Sequence, residues 1–268
     1  MKNNLYDVCI VGELGHVGLP LGISLAEAGK KVILFDIDKT AIDTVSHGKI
    51  PFMEKDAEEI LKQVLGKNLF ISSDRHVISE SYFVTVVIGT PVDEHLNPKF
   101  TRFKNFFSEV IEFTKDDQHI ILRSTVFPGN TEKVKEFLRL KGRKTKVSFC
   151  PERIAEGRAM EELRNLPQIV SSFDELSFQE AKKLFLSLTN LSMISVLVLI
   201  VSWIKEKGWN GKSSSIRRIG TIVFVFILFF SLFVISYLKG VNGMNAHKKI
   251  WKMQHLVLKM QKWRQTNV

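Results

Sequence analysis

Over the first 190 positions the apolar residues follow two alternating rhythms. Short apolar runs, one ending at Val11 and others at residues 31–35, 69–72, 83–88, 119–122, 147–149 and 168–171, have the length and β-branched content of buried strands. Between them, residues 21–28, 42–65, 99–113, 131–140 and 173–186 carry apolar positions at helical spacing, the second interrupted at Pro51. In the third, Phe103, Phe106, Phe107, Val110 and Ile111 make a single stripe that reads as core. Repeated strand and helix alternation predicts an α/β fold, a Rossmann-like doubly wound parallel sheet covered on both faces.

The first strand runs into a turn that carries Gly12, Gly15 and Gly18, and a helix follows at once. That order suits a dinucleotide: the backbone bends sharply, small residues let it approach a pyrophosphate, and the helix N-terminus offers unpaired N–H groups. The spacing departs from G-x-G-x-x-G, because Glu13 stands where a glycine is expected and Gly12 is displaced by one. A carboxylate at position 13 repels a pyrophosphate unless it swings outward. The second strand ends at Asp36, about 20 residues after the turn, where an acid accepts adenosine ribose hydroxyls and disfavours a 2′-phosphate, so NAD is expected over NADP. Asp36 and the nearby Asp38 also suit a helix N-cap, and the sequence leaves both readings open.

Further polar residues fall just after strands, where open parallel sheets bind ligands. Thr90, Ser124, Thr125 and Glu152 are expected to converge on the crevice above the glycine turn. Glu152 and Glu156 stand four apart, so a helix there puts them on one face; a solvated arrangement with Arg153 and Arg158 is the competing reading.

Charge removes one class of partner. The chain holds 38 Lys and Arg against 28 Asp and Glu, but residues 191–268 account for 12 of the bases and only Glu206 among the acids. Residues 1–190 then hold 26 bases and 27 acids, a net of −1, without the basic footprint that nucleic-acid binding needs. Cys9 and Cys150 lie in apolar runs and read as buried thiols of a reducing compartment; no spacing suggests a metal site or a disulfide framework. With no apolar signal region before the first strand, this part is expected in the cytoplasm.

Four motifs carry a resemblance: His16-Val17-Gly18-Leu19-Pro20, Gly89-Thr90-Pro91-Val92-Asp93-Glu94, residues 122–129 (LRSTVFPG) and residues 150–157 (CPERIAEG). In this order they resemble the UDP-glucose/GDP-mannose dehydrogenase family, and within it the UDP-N-acetylmannosamine 6-dehydrogenases. The resemblance implies two NAD-dependent oxidations of a UDP-sugar C6 alcohol to a carboxylate, through a cysteine-bound thiohemiacetal and thioester. It implies that Gly12, Gly15, His16, Val17 and Gly18 hold the cofactor with Asp36, that Thr90 and Ser124 flank the nicotinamide end, and that Glu156 touches the cofactor. Thr125 and Glu152 would lie beside the reacting carbon, Glu152 as general base for the thioester-cleaving water and Thr125 orienting it. The family's nucleophilic cysteine, and the lysine and asparagine of the long central helix that builds its homodimer, have no counterpart here. The resemblance therefore divides the chain into an NAD-binding domain, 1–189, and a basic hydrophobic tail, 190–268.

The tail admits two readings. Residues 184–204 and 219–238 are uncharged runs of 21 and 20 residues, each long enough to cross a bilayer as a helix, which would attach the chain to a membrane through residues 184–238. Alternatively the tail is a frameshifted or truncated reading frame, which accounts at once for the missing cysteine and the loss of acids.

Overall fold

β1 (Tyr6–Val11) occupies the middle of the sheet because both its faces are apolar: Val8 and Ile10 point to one side, Cys9 and Val11 to the other, and all four are buried. β2 (Val32–Phe35) and β4 (Ser81–Val86) flank it in parallel, β3 (Leu69–Ser72) lies outside β2, and β5 (His119–Leu122) and β6 (Lys146–Phe149) extend the other half. The strand order β3-β2-β1-β4-β5-β6 reverses direction between β1 and β4, and a crevice at the carboxyl ends follows from that reversal. The computed structural model describes residues 4–12, 14–88, 100–126, 129–189 and the strand pair 194–195.

Each face of the sheet has its own core. α1 (Gly18–Glu27), α3 (Ala57–Val64), α6 (Ala159–Asn165) and α7 (Glu175–Leu186) bring Leu21, Leu25, Leu61, Met160 and Phe185 against Val8, Ile10, Leu34 and Ile121. α4 (Phe100–Glu112) and α5 (Asn130–Leu140) cover the opposite face, with Phe103, Phe107, Val110, Val134 and Leu138 on Cys9, Val11, Ile33 and Leu122. The expected phenylalanine stripe is thus core. α2 (Lys39–Ser46) is separate from α3: the helical pattern expected over 42–65 breaks between residues 46 and 57, around Pro51. α6 and the 3-10 turn Arg75–Ile78 were not foreseen.

Two expectations are corrected. The sheet is not wholly parallel, since β7 (Ile169–Ser172) runs antiparallel to β6, pairing Phe149 with Ser171 and Ser148 with Ser172. The connection spends residues 151–158 on a loop, and α6 has seven residues, about 10 Å of rise, so the chain does not return to the lower edge before β7 begins. Nor does the first uncharged run form one helix. α7 stops at Leu186, and β8 (Ile194–Ser195) pairs with Ile169 and Val170. Among the described residues no helix is long and apolar enough to cross a membrane. The run 219–238 lies outside the described residues.

At the lower edge a buried polar network ties α7 to the sheet. His119, fully buried, places Nε2 2.7 Å from Ser148 Oγ and Nδ1 3.2 Å from Glu180 Oε2. Ser148 Oγ lies 2.5 Å from Ser172 Oγ, and Lys146 Nζ donates to Glu180 Oε1 at 2.6 Å and to Tyr82 OH at 3.1 Å. Burial pushes the His119 pKa down to about 4, against the pull of Glu180.

Candidate functional site

The glycine turn is shaped by what Gly12 lacks. Its φ is +96°, and a Cβ there would run into the Val87 carbonyl oxygen at the tip of β4. The turn therefore nests between the ends of β1 and β4. α1 begins at once, with Val17 as N-cap, no side-chain cap and no acid in its first turn, so no side chain of its own competes with an anion at that end. Gly15 and Gly18 stand where the turn becomes helix: the Gly15 carbonyl accepts from Leu19 N–H at 3.2 Å, and Gly18 is buried. Gly22 lets α1 settle on the sheet, for a Cβ there would stand 2.6 Å from Leu34 Cδ2. Sequence reasoning passed over it, though a glycine four residues into a sheet-facing helix is the available signal.

Asp36 staples the turn from the end of β2. Oδ2 accepts from Leu14 N–H at 2.6 Å, and Oδ1 accepts from Ile37 N–H at 2.6 Å and Asp38 N–H at 2.9 Å. The residue is only 7% exposed. Of the roughly four lone-pair directions of a carboxylate, three are taken, which leaves room for one further donor. The two readings of the acids separate here: Asp38 caps α2, accepting from Thr40 N–H and Ala41 N–H at 2.8 and 3.2 Å, and Asp36 does not. A turn that only glycine can make at position 12, a helix N-terminus without an acid and an acid at the end of β2 fit the diphosphate and adenosine ribose of NAD.

His16 stacks on Phe52, ring centroids 4.1 Å apart, and its Nδ1 is buried without a hydrogen-bond partner. The segment carrying Phe52 bridges to the other side of the site: the Met53 carbonyl faces Gly157, and Glu54 Oε1 accepts from Met160 N–H at 3.3 Å. This strap between α2 and α3 was not read from the sequence, where an aromatic residue beside Pro51 was its one mark.

Across the crevice, Ser124 Oγ accepts from Ile88 N–H at 2.7 Å and so joins the tips of β4 and β5. Thr125 is exposed at the same tip. Thr90 and Glu13 lie outside the described residues.

Glu152 continues the β5–β6 ladder: Cys150 N–H donates to the Leu122 carbonyl and Glu152 N–H to the Arg123 carbonyl, both at 2.8 Å. The segment 151–155 has no regular secondary structure, so Glu152 and Glu156 do not share a helical face. Glu156 is exposed in the turn that follows. Arg153 reaches the Pro167 carbonyl and Arg158 pairs with Glu161, so neither forms the solvated array with Glu152. The Glu152 carboxylate is held on two sides. Oε1 accepts from Arg153 N–H at 2.7 Å and Ile154 N–H at 3.1 Å, while Oε2 makes an ion contact with Arg123 Nη2. Arg123 is fully buried, donating to the Cys150 carbonyl at 3.2 Å and Gln168 Oε1 at 2.9 Å, with its guanidinium 4.7 Å from the Phe185 ring centre. A charge closing the apolar run Ile120-Ile121-Leu122 was the signal that a buried counter-ion had to exist.

Both cysteines are buried. Burial pushes the Cys9 thiol pKa well up and that of Cys150 up to about 12, so neither presents a thiolate near neutral pH. Among the described residues no His, Cys, Asp and Glu side chains cluster as a metal site.

Comparison with known proteins follows the same outline. A UDP-N-acetyl-D-mannosamine dehydrogenase of Methanococcus aeolicus is 29% identical over 191 residues, covering 69% of this chain and 43% of its own length. The structure of UDP-D-ManNAc dehydrogenase from Pyrococcus horikoshii superposes with a TM-score of 0.66 at 25% identity, over 74% of this chain and 49% of that one. The NDP-N-acetyl-D-galactosaminuronic acid dehydrogenase of Methanosarcina mazei superposes at 0.65 with 26% identity, over 76% of this chain and 47% of that one. The chain thus spans less than half the length of each of these relatives. The model of the UDP-glucose/GDP-mannose dehydrogenase family, NAD binding domain, matches residues 6–189, more than half of the sequence, and the protein belongs to that family through this domain.

Proposed function

We propose that residues 1–189 form the cofactor half of a UDP-sugar 6-dehydrogenase acting on UDP-N-acetylmannosamine and yielding its uronate. One observation carries this reading: Gly12 and Asp36 shape a cradle at the end of β1 that suits an adenosine diphosphate moiety, beside an α1 N-terminus with no acid of its own. Bound there, NAD supplies a hydride acceptor. Gly12, Gly15 and Gly18 admit its diphosphate with the backbone of His16 and Val17, and Asp36 takes one ribose hydroxyl and disfavours a 2′-phosphate. Thr90 and Ser124 flank the nicotinamide end, and Glu156 reaches the cofactor from the loop after β6. Beside the reacting carbon, Thr125 orients water and Glu152 accepts its proton.

Calorimetric titration with NAD tests the binding step, and NADH absorbance after adding UDP-N-acetylmannosamine tests turnover. Saturable NAD binding with NADH formation supports the reading; absence of NAD binding overturns it. A second reading, an NAD-binding module without turnover, is favoured by the burial of both thiols. It predicts NAD-dependent thermal stabilisation with no NADH.

A further inference from the structure

We infer that Arg123 is the positioning residue for Glu152: the buried guanidinium fixes where the carboxylate, and with it the loop 151–157, lies over the crevice. The inference rests on the reading that gives Glu152 a place in the site, but its geometry stands independently. Arg123 is fully buried at the end of β5, and the Glu152 side chain is 7% exposed. Two charges so enclosed are stable only as a pair, and a lone survivor is strongly disfavoured. Arg123 is itself held from two other elements, since Gln168 precedes β7 and accepts from Nη2, while Phe185 of α7 offers its ring to the guanidinium. The cation therefore cannot follow the carboxylate, and the carboxylate comes to the cation.

What hangs on the pair is the loop. Glu152 Oε1 is the acceptor for the N–H groups of Arg153 and Ile154, so a carboxylate drawn inward by Arg123 draws the backbone of the following residues with it. Glu156 and the turn at Gly157 come next along the same segment, and Ser124 and Thr125 follow Arg123 directly on the other side. One buried cation thus sets the spacing between the β5 tip and the β6 loop, the two segments that face a substrate. Arg123 Nε and Glu152 Oε2 are both buried without a hydrogen-bond partner, so the pair is an ion contact through Nη2 rather than a bidentate hydrogen-bonded one.

The test is residue-resolved amide exchange on the full chain without ligand, so that a failure to bind NAD bears on the proposed function and not on this inference. In Arg123→Met, the Arg153 and Ile154 amides should exchange faster by about tenfold or more, because an unpaired carboxylate leaves for water, while β1 and α1 keep their protection. Adding Glu152→Gln to Arg123→Met should restore the protection, since a neutral amide oxygen accepts the same two N–H groups without a cation. If Arg123→Met does not fold, the double variant should fold cooperatively. Protection unchanged in Arg123→Met, a loss that Glu152→Gln does not repair, or a double variant that fails to fold, each overturns the inference in favour of simple packing by Arg123.

Discussion

Acidification from pH 8 to pH 5 should cost the folded domain about 2 kcal/mol through His119 alone. Burial holds the folded-state pKa at about 4, whereas an unfolded chain titrates near 6.5. The folded pKa is the lower of the two, so the unfolded chain takes up the proton first. The contribution is fully present above about 6.5 and is lost as pH falls toward 4, where it reaches about 3 kcal/mol. The charged neighbours act in other ranges. Glu180 and Asp174 are lowered from ordinary values of 4.5 and 3.8 and lose their contributions in more acid solution; Lys146 is raised from 10.5 and matters only in alkali. The interval from pH 6.5 to 5 therefore isolates His119 within its network. Denaturant unfolding should be followed by circular dichroism at pH 8, 6.5 and 5 in the native protein and in His119→Gln, whose amide can still bond Ser148 but does not titrate. The native profile should fall more steeply than the variant's by about 2 kcal/mol over that range. Parallel profiles would refute the assignment of a neutral buried imidazole.

Four further outcomes are expected. Gly12→Ala should destabilise the domain by about 1–3 kcal/mol and abolish NAD-dependent stabilisation in thermal melts, because the added carbon meets the Val87 carbonyl at a positive φ; an unchanged melting profile contradicts this. Asp36→Ala leaves three backbone N–H groups without their acceptor and should weaken NAD binding by about tenfold or more in calorimetry, an expectation that equal affinity would defeat. Neither Cys9 nor Cys150 should react with a disulfide reagent until denaturant is added, and one rapidly titrating thiol would show that burial is not what controls them. Glu13→Gly should tighten NAD binding by removing a carboxylate from the turn; unchanged or weaker affinity would show that Gly12, Gly15 and Gly18 suffice.

The strands were legible because most are short apolar runs, with both faces buried in β1, β2, β4 and β5. β3 and β5 match their expected limits, at 69–72 and 119–122; β2 and β6 shift by one residue at one end, β4 and β7 by one or two at both, and β8 was not foreseen. α6 was not legible, since seven residues give barely two turns of periodicity. The reversal of β7 was hidden for a different reason: strand direction depends on where a connection ends in space, which the composition of residues 150–168 does not record. At the site, Gly12 and Asp36 were found because a turn and an acid at fixed spacing are local signals. The pairing of Arg123 with Glu152, 29 positions apart in number and adjacent only through the β5–β6 ladder, is not local, and neither is the stacking of Phe52 on His16. That Glu152 and Glu156 do not share a helical face was not legible, because their spacing of four allows one and no other local signal decides it.

On the proposed function, Asp36 does two jobs with one carboxylate. The group proposed to disfavour a 2′-phosphate is also the acceptor that closes the glycine turn on Leu14 and the β2 end on Ile37 and Asp38. On that proposal, cofactor preference and local foldability are locked together in this chain. Neutralising Asp36 to admit a phosphorylated ribose would open the turn that must grip the same cofactor. A lineage or a designer seeking the other cofactor has to install a new acceptor for the Leu14 amide before, or together with, the loss of the acid, which makes the switch a path of coupled substitutions rather than a single step.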